Sequence, residues 1–235
     1  MYSSHKFEQN IFCGLLFAKY FAGEYTNNIK CERRSITMKS VAEKRKIIYR
    51  IVTTGLMAAL VFAGNFISIP LPYDARIHVG NSMCLLAALL FGGLTGGISS
   101  GIGGALYDLL NPIYITSAPF TFINKFAMGF TTGILNSRGI KIKNSAAKAY
   151  VAAIAGQIVY IILYLGKTLA KELIKGNAFG TAMVIVGEKA LSSTVNAVIA
   201  VLISVPLYFA IKAALERTPI GKYMIIGNNR QVEAE

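Results

Sequence analysis

Charged and amide side chains inside apolar stretches are the residues of this sequence that could carry chemistry. Asp108 follows Tyr107 at the end of a glycine-rich run, and Asn111 comes shortly after it. Asn124 and Lys125 stand together near the start of the next apolar run. A charge inside a membrane helix costs about 2.5–3.5 kcal/mol on insertion scales, so such residues are candidates for a functional site. The residues alone leave open that Asp108 and Lys125 form a purely structural pair.

Further polar residues flank the same apolar runs. Pro112 and Pro119 bracket a connection that cannot continue a regular helix, and Tyr114 lies within it. On the topology given below, these residues all fall toward the external side, which favours a one-sided capture pocket over a channel that is polar along its length. In such a pocket, aromatic rings supply stacking area, and amides and charges orient the polar edges of a ligand. The predicted substrate-binding residues are Tyr73, His78, Asn81, Tyr107, Asp108, Asn111, Tyr114, Asn124, Lys125 and Glu188.

Two short motifs that resemble enzyme signatures lack the context that their chemistry needs. Gly97–Gly101 reads G-x-S-x-G, but a nucleophile elbow requires a strand–turn–helix, and this match lies inside an apolar run. Gly166–Thr168 resembles the end of a phosphate-binding loop, but Ile161 stands where that motif needs its first glycine. The three cysteines lack paired metal-ligand spacing. We therefore predict no catalytic residue, no metal site, no cofactor and no enzymatic activity.

The composition indicates what kind of protein must position these residues. Of 235 residues, 54% are hydrophobic and only 15% are charged, against about 25% charged in soluble domains. A polytopic membrane protein is therefore the predicted class. The formal net charge of +13 could indicate nucleic-acid binding, but no basic stripe interleaved with aromatic residues is present. We expect a lipid bilayer, and no nucleic acid, as the surroundings of this chain.

The hydropathy pattern predicts an all-α protein with six membrane spans. The expected spans cover about 48–69, 80–91, 94–110, 120–135, 146–165 and 190–214. Eleven Lys and Arg residues fall on one set of flanking segments and five on the other, which predicts that both termini are cytoplasmic. Four of the five external basic residues are lysines between spans 5 and 6, and they run against this rule.

The chain also divides into regions of different character. Residues 1–37 mix polar and apolar residues without a period, whereas the basic segment from Met38 resembles a bacterial start site. We interpret 1–37 as an atypical extension that is disordered or a mis-assigned start. Residues 38–217 form the predicted transmembrane binding domain, and 218–235 form a cytoplasmic tail.

Small residues recur every four positions on two of the predicted spans. Gly93, Gly97 and Gly101 form one such line, and Gly55, Ala59 and Ala63 form a second line on span 1. Lines of small residues let helices approach closely in lipid. Two interpretations stay open, namely packing within the bundle and docking of a partner membrane protein on span 1.

Several stretches resemble the substrate-binding S components of energy-coupling factor (ECF) transporters. They are Ile77-His78-Val79-Gly80-Asn81, then LLAALLFGGLTGGISSGIGGALYDLL, then Ala118-Pro119-Phe120-Thr121-Phe122-Ile123-Asn124-Lys125. The similarity covers about residues 45–215, is most specific from Gly80 to Gly133, and is greatest to the branch named after the riboflavin transporters.

The resemblance implies an S-component fold of six helices in the bacterial cell membrane, with both termini cytoplasmic and an external pocket for a vitamin or related heterocycle. It also implies a partner module, a transmembrane coupling protein with two ATPases that drive import. Ala59 and Ala63 match positions that face the coupling protein. Asn81 stands where many relatives carry an acidic residue, so riboflavin, pyridoxine-like and pyrimidine-type substrates all stay open. The alternatives are a self-sufficient secondary transporter or channel, and an intramembrane enzyme.

Overall fold

Six α-helices and one small hairpin make up the part of the chain that the computed structural model describes, namely residues 44–45, 47–70, 76–112, 114–139 and 142–218. The helices are α1 Ile47–Phe66, α2 Gly80–Phe91, α3 Gly93–Leu110, α4 Ala118–Ile134, α5 Ser145–Ile174 and α6 Phe179–Glu216. A short 3₁₀ helix, Ile115–Ser117, precedes α4, and a π-helical turn, Leu135–Gly139, follows it. The predictions for residues 1–37, for Tyr73 and for the tail beyond residue 218 lie outside the described residues.

A two-stranded antiparallel sheet connects α1 to α2, which the prediction of an all-helical chain missed. Strand β1, Ser68–Pro70, pairs with strand β2, Arg76–His78, so that Ser68 lies opposite His78 and Ile69 opposite Ile77. Span 1 was expected to remain helical as far as Ile69. The residue before a proline is driven toward extended backbone, which explains why the helix ends earlier and Ile69 joins a strand.

Helices α5 and α6 extend well beyond the spans predicted for them. Span 5 was expected to end at about residue 165 and span 6 to begin at about 190, but α5 continues to Ile174 and α6 begins at Phe179. Hydropathy detects only the apolar part of a helix, whereas the backbone hydrogen bonds continue through the polar turns. The predicted long external loop is therefore almost entirely helical, and Gly176 turns the chain at a φ of 82°.

The short helix α2 lies at the centre of the bundle. It packs against α3, α4 and α6, and its residues from Cys84 to Leu90 are all buried. Its apolar side chains therefore form the core, as expected for a helix that is hydrophobic all round. By contrast, α1, α5 and α6 are long and apolar enough to cross a membrane, and they expose apolar side chains such as Ile51, Ile162 and Leu191. This outer surface is suited to lipid rather than water.

The glycine line on α3 is used for packing inside the bundle. A Cβ atom at Gly97 would lie 3.1 Å from the Phe126 ring, and one at Gly101 would lie 2.9 Å from the Phe122 ring. Gly93 meets α4 in the same way, at the backbone of Phe130. Of the two open interpretations, bundle packing therefore applies to this line, and it brings the two helices that carry Asp108 and Lys125 close together.

Candidate functional site

A polar cavity lies at one end of the bundle, between strand β2, the end of α3, the first turns of α4, the last turns of α5 and the stretch of α6 from Lys189 to Asn196. Its volume is about 80 Å³. Besides the charged and aromatic residues described below, hydroxyl groups line it from four elements, namely Ser117, Thr121, Thr168, Ser192 and Ser193. One strand and four helices thus surround a single polar space.

An ion pair between Arg76 and Asp108 closes one side of the cavity. The Arg76 Nη2 atom lies 3.0 Å from Asp108 Oδ1, and the hydroxyl of Thr121 donates to the other carboxylate oxygen. The guanidinium also lies between two rings, 4.3 Å from the centre of Tyr107 and 4.4 Å from that of Tyr114. Strand β2 is therefore attached to the ends of α3 and α4 by charge and by aromatic contact.

Lys125 is fully buried and reaches the cavity from α4. Its Nζ donates to Asn65 Oδ1 over 2.9 Å, and Asn65 in turn donates to the Val61 carbonyl on α1. A side chain at Gly104 would overlap Lys125, so that glycine makes room for the lysine. The carboxylate of Asp108 pairs with Arg76 instead, so the structural pair of Asp108 with Lys125 that the sequence left open does not form.

His78 and Asn196 join the hairpin to α6. The His78 amide donates to Asn196 Oδ1 over 2.8 Å, and the Asn196 amide group donates to the Arg76 carbonyl over 2.7 Å. Burial lowers the pKa of His78 well below its ordinary value, and the charges of Lys125 and Arg76 lower it further. The imidazole is therefore neutral at pH 7.

Aromatic and basic residues of α5 and α6 form the opposite wall. Tyr160 and Tyr164 stack with their ring centres 5.8 Å apart and their planes 6° from parallel. Lys167 and Lys171 follow on the same helix, and Lys189 of α6 places its Nζ 5.9 Å from the centre of the Tyr164 ring. This wall offers flat aromatic surface at Tyr160 and Tyr164 and positive charge at the three lysines.

The described part of the chain brings half of the predicted pocket residues to the cavity, namely His78, Asp108, Tyr114, Asn124 and Lys125. Tyr107 lies behind them against Arg76, and Tyr73 is outside the described residues. Asn81 is buried elsewhere in the bundle, Asn111 lies at the end of α3, and Glu188 is exposed. Glu188 turns away because consecutive residues of a helix point about 100° apart, and its neighbour Lys189 takes the cavity side.

Several lining residues were not predicted from the sequence, namely Arg76, Tyr160, Tyr164, Lys167, Lys171, Lys189 and Asn196. Asn196 carried a usable signal, because it is an amide in the middle of an apolar span, as Asn124 is. The three lysines were interpreted as loop charges, which hid their position on helices.

The second line of small residues lies on the surface of α1. Gly55, Ala59 and Ala63 are all exposed, and a Cβ atom added at Gly55 would meet no atom within 4 Å. Apolar neighbours such as Ile51 and Leu60 are exposed on the same helix. This line is therefore not used for packing within the described bundle.

A helical bundle with a lipid-suited surface and a polar cavity at one end defines a small membrane-embedded binding protein. Residues 45–213 match the family model described as "ECF-type riboflavin transporter, S component". The chain therefore belongs to this family and is a membrane substrate-binding subunit of ECF transporters. The membership predicted from the sequence is confirmed.

Solved structures show the same fold. One described as the S component of a bacterial ECF transporter has a TM-score of 0.52 and 20% identity, over 72% of this chain and 98% of that chain. ThiT from Listeria monocytogenes has a TM-score of 0.52 and 15% identity, over 70% and 96%. An uncharacterised protein from the gap 3′ region of Pyrococcus woesei is 30% identical over 108 residues, which are 46% of this chain and 69% of that protein. The predicted helical S-component fold is thus confirmed.

Proposed function

We propose that this chain captures a vitamin-like heterocycle in the cavity, from outside the cell, and delivers it to a coupling protein and two ATPases for import. The observation that carries this proposal is that the buried charged side chains among the described residues, Asp108, Lys125 and Glu172, all lie toward one end of the bundle. In the orientation predicted from the basic residues, that end faces outward. The rest of the described core around α2 holds no buried charged side chain and consists mainly of apolar residues such as Cys84, Leu90 and Met128, which argues against a channel or a self-sufficient transporter with a charged path through the bundle.

Binding requires the cavity to widen. Pockets for drug-sized ligands measure about 300–1,000 Å³, whereas this cavity measures about 80 Å³. The long side chains on its wall are suited to make room, since Lys171 is exposed and Lys167 is half-buried. A ligand would displace these flexible chains and stack against the tyrosines of α5.

Ligand capture is tested by native mass spectrometry of protein purified from its own membranes in mild detergent. The wild type should carry a small molecule, and isothermal titration with that molecule should give a Kd at least tenfold weaker for Lys125→Ala, because a hydrogen bond to a charged group contributes about 1.5–3 kcal/mol. Lys175→Ala is the matched control, since Lys175 pairs with Glu172 and does not line the cavity. Absence of any bound molecule would contradict capture, and an unchanged Kd would remove Lys125 from the site.

The exposed line on α1 is our proposed docking face for the coupling protein. Close approach of small residues stabilises helix association in lipid, and bulk at Ala59 and Ala63 should block it. The double variant Ala59→Trp with Ala63→Trp should bind ligand normally and abolish uptake in cells. Ala210→Trp with Ala214→Trp makes the same change at exposed alanines one turn apart on α6 and should leave uptake intact. Normal uptake by the α1 variant would rule out this face.

A further inference from the structure

We propose that strand β2 recognises the substrate, with Arg76 Nη1 and His78 Nδ1 binding the carbonyl oxygen and the neighbouring polar atom of an amide group on a neutral heterocycle. Asn196 of α6 is the residue that positions both groups. This inference rests on the proposed function, because it names the atoms that bind the molecule in the same cavity.

The first argument is that both nitrogen atoms are buried at the cavity without a hydrogen-bond partner. Arg76 and His78 both line the cavity, and neither Nη1 of Arg76 nor Nδ1 of His78 has a partner among the described residues. Buried polar groups are nearly always hydrogen-bonded, because an unmade bond leaves the cost of desolvation uncompensated. The remaining unpartnered buried side-chain atoms of the described residues belong to side chains that do not line the cavity. A ligand in the cavity would therefore satisfy the two atoms on β2.

The second argument is the geometry of the strand. Residues two apart on a β-strand project to the same face, and Arg76 and His78 are the first and last residues of the three-residue strand β2. Their side chains accordingly reach the same cavity. One edge of a single ligand can therefore contact both.

Asn196 holds the backbone of β2 at both of these residues. Its Oδ1 accepts from the His78 amide over 2.8 Å, and its Nδ2 donates to the Arg76 carbonyl over 2.7 Å. The side chain is buried, and both ends of its amide are engaged by the strand. Asn196 therefore acts on the ligand through the positions of Arg76 and His78.

The third argument defines the ligand group that Arg76 binds. Nη2 of the same guanidinium lies 3.0 Å from Asp108 Oδ1, which balances its charge. The rings of Tyr107 and Tyr114 contact the guanidinium but give Nη1 no hydrogen-bond acceptor. A second carboxylate at Nη1 would lie close to that of Asp108 and be repelled by it. A carbonyl oxygen accepts the hydrogen bond without this repulsion.

His78 defines the second atom of the ligand edge. Its imidazole is neutral, as described above, and a neutral imidazole holds one N–H group and one acceptor nitrogen. Nδ1 can therefore donate or accept, depending on the tautomer. An amide group offers a carbonyl oxygen to Arg76 and a neighbouring nitrogen to His78. The ligand class is accordingly a neutral heterocycle that carries a lactam or a carboxamide.

The test measures binding of matched pairs in which sulphur replaces one carbonyl oxygen, using the full chain in phosphatidylcholine nanodiscs. The pairs are riboflavin with 4-thioriboflavin, uracil with 4-thiouracil, and nicotinamide with thionicotinamide. Sulphur is a weak hydrogen-bond acceptor. The oxygen member of at least one pair should therefore bind tenfold or more tightly than its sulphur partner, a difference of about 1.4 kcal/mol.

A charge-conserving variant connects this preference to Arg76. Arg76→Lys keeps a positive charge beside Asp108 but lacks the second arm of the guanidinium. It should abolish the preference and leave the Kd of the sulphur member unchanged, which also shows that the protein is folded. Arg50→Lys makes the same change at an exposed residue of α1 and should keep the preference.

His78 is tested by two amide substitutions that differ in length. The amide of asparagine can take the position of Nδ1, whereas the amide of glutamine extends toward the position of Nε2. His78→Asn should therefore keep the Kd of the oxygen member, and His78→Gln should weaken it about tenfold.

Asn196 is tested by the preference rather than by affinity alone. Asn196→Ala frees the backbone of β2 and should reduce the preference for oxygen, because Arg76 is no longer held toward the carbonyl. A purely structural loss would weaken both members of a pair equally. Thr194→Ala removes an exposed hydroxyl from the same stretch of α6 and should keep the preference.

The contrary results each overturn a defined statement. Equal Kd values within every pair overturn the carbonyl contact and show that water satisfies Nη1. A preference that survives in Arg76→Lys overturns the role of Arg76. Equal effects of the two His78 variants overturn the role of Nδ1, and equal weakening of both pair members by Asn196→Ala overturns the positioning role.

Two further results concern the ligand itself. Tighter binding of nicotinate than of nicotinamide overturns the neutral ligand. Failure of all six compounds to bind overturns the amide group as the recognised feature. The proposed capture function is tested separately, since a small molecule retained in native mass spectrometry would leave it standing in either case.

Discussion

Replacement of Arg76 by alanine should detach the β hairpin from the helix ends that surround the cavity. The Arg76 guanidinium forms an ion pair with Asp108 and packs between the rings of Tyr107 and Tyr114. Its loss leaves the Asp108 carboxylate buried, with the hydroxyl of Thr121 as the donor that remains. The same reasoning applies in reverse to Asp108→Ala, which leaves a guanidinium without its counter-charge.

The expected loss of stability follows from burial. Removal of one partner of a buried ion pair costs about 3–5 kcal/mol. The side chains of Arg76 and Asp108 are 15% and 3% exposed, so we take the lower end, about 3 kcal/mol. One kcal/mol shifts the Tm of a chain of this size by about 2–4 °C, which gives a decrease of about 6–12 °C. Since both single changes break the same contact, the double variant should lose much less than the sum.

The Tm of these variants can be measured through the reactivity of a buried cysteine. Cys84 is fully buried in α2 with a free thiol, so a fluorogenic thiol reagent reacts with it when the bundle unfolds. Cys13 and Cys31 would first be replaced by serine so that Cys84 alone reports. The Tm is then recorded in one detergent for the parent, both single variants and the double variant.

The control is the ion pair of Lys175 with Glu172, whose lysine is exposed. The Lys175 side chain is 52% exposed, so Lys175→Ala should cost at most about 1 kcal/mol and shift the Tm by less than about 4 °C. Decreases for Arg76→Ala and Asp108→Ala that add fully in the double variant would refute the coupling. Single decreases no larger than that of the control would refute the estimate from burial.

Two further changes give separate outcomes with the same assay. Gly96→Ala should lower the Tm by several degrees, because the new methyl group would overlap the backbone of Ala88. Gly55→Ala should keep or raise the Tm, since that site is open and alanine favours a helix. Equal effects of the two changes would contradict the close packing of α3 against α2 at Gly96. The depressed pKa of His78 means that the unfolded chain gains its proton first as the pH falls through about 6.5. The Tm should therefore decrease from pH 7.5 to 5.5, and His78→Gln should reduce that decrease; an identical decrease in both proteins would exclude His78.

The helices that could be predicted from the sequence are those whose apolar runs end at breaks in the chain. The predicted span 80–91 coincides with α2, and the span 94–110 differs from α3 by one residue. In both cases glycine or proline stands next to the boundary. The ends of α5 and α6 were missed because a helix that emerges from the apolar layer continues through lysines, which hydropathy assigns to a loop. The hairpin was missed because three-residue strands carry no period.

The residues of the candidate site that could be predicted from the sequence are those whose charge falls inside an apolar stretch. Asp108 and Lys125 stood out from apolar surroundings, and both reach the cavity. Their partners could not be read from the sequence, because Arg76 is 32 residues from Asp108 and Asn65 is 60 residues from Lys125. Only the fold brings these pairs together, and the pairing of Asp108 with Lys125 that the sequence left open does not form.

The shortness of α2 has a consequence for how the protein is assembled in the membrane. Its 12 residues extend about 18 Å, against a hydrocarbon core of about 30 Å. A helix of this length cannot cross the bilayer alone, and its N-terminal backbone amides would lack partners in lipid. It must enter together with the helices that pack against it, α3, α4 and α6, so that they shield it. Biosynthesis should therefore yield no stable intermediate in which the chain stops after α2, and truncation at Phe91 should produce a fragment that quality-control proteases remove.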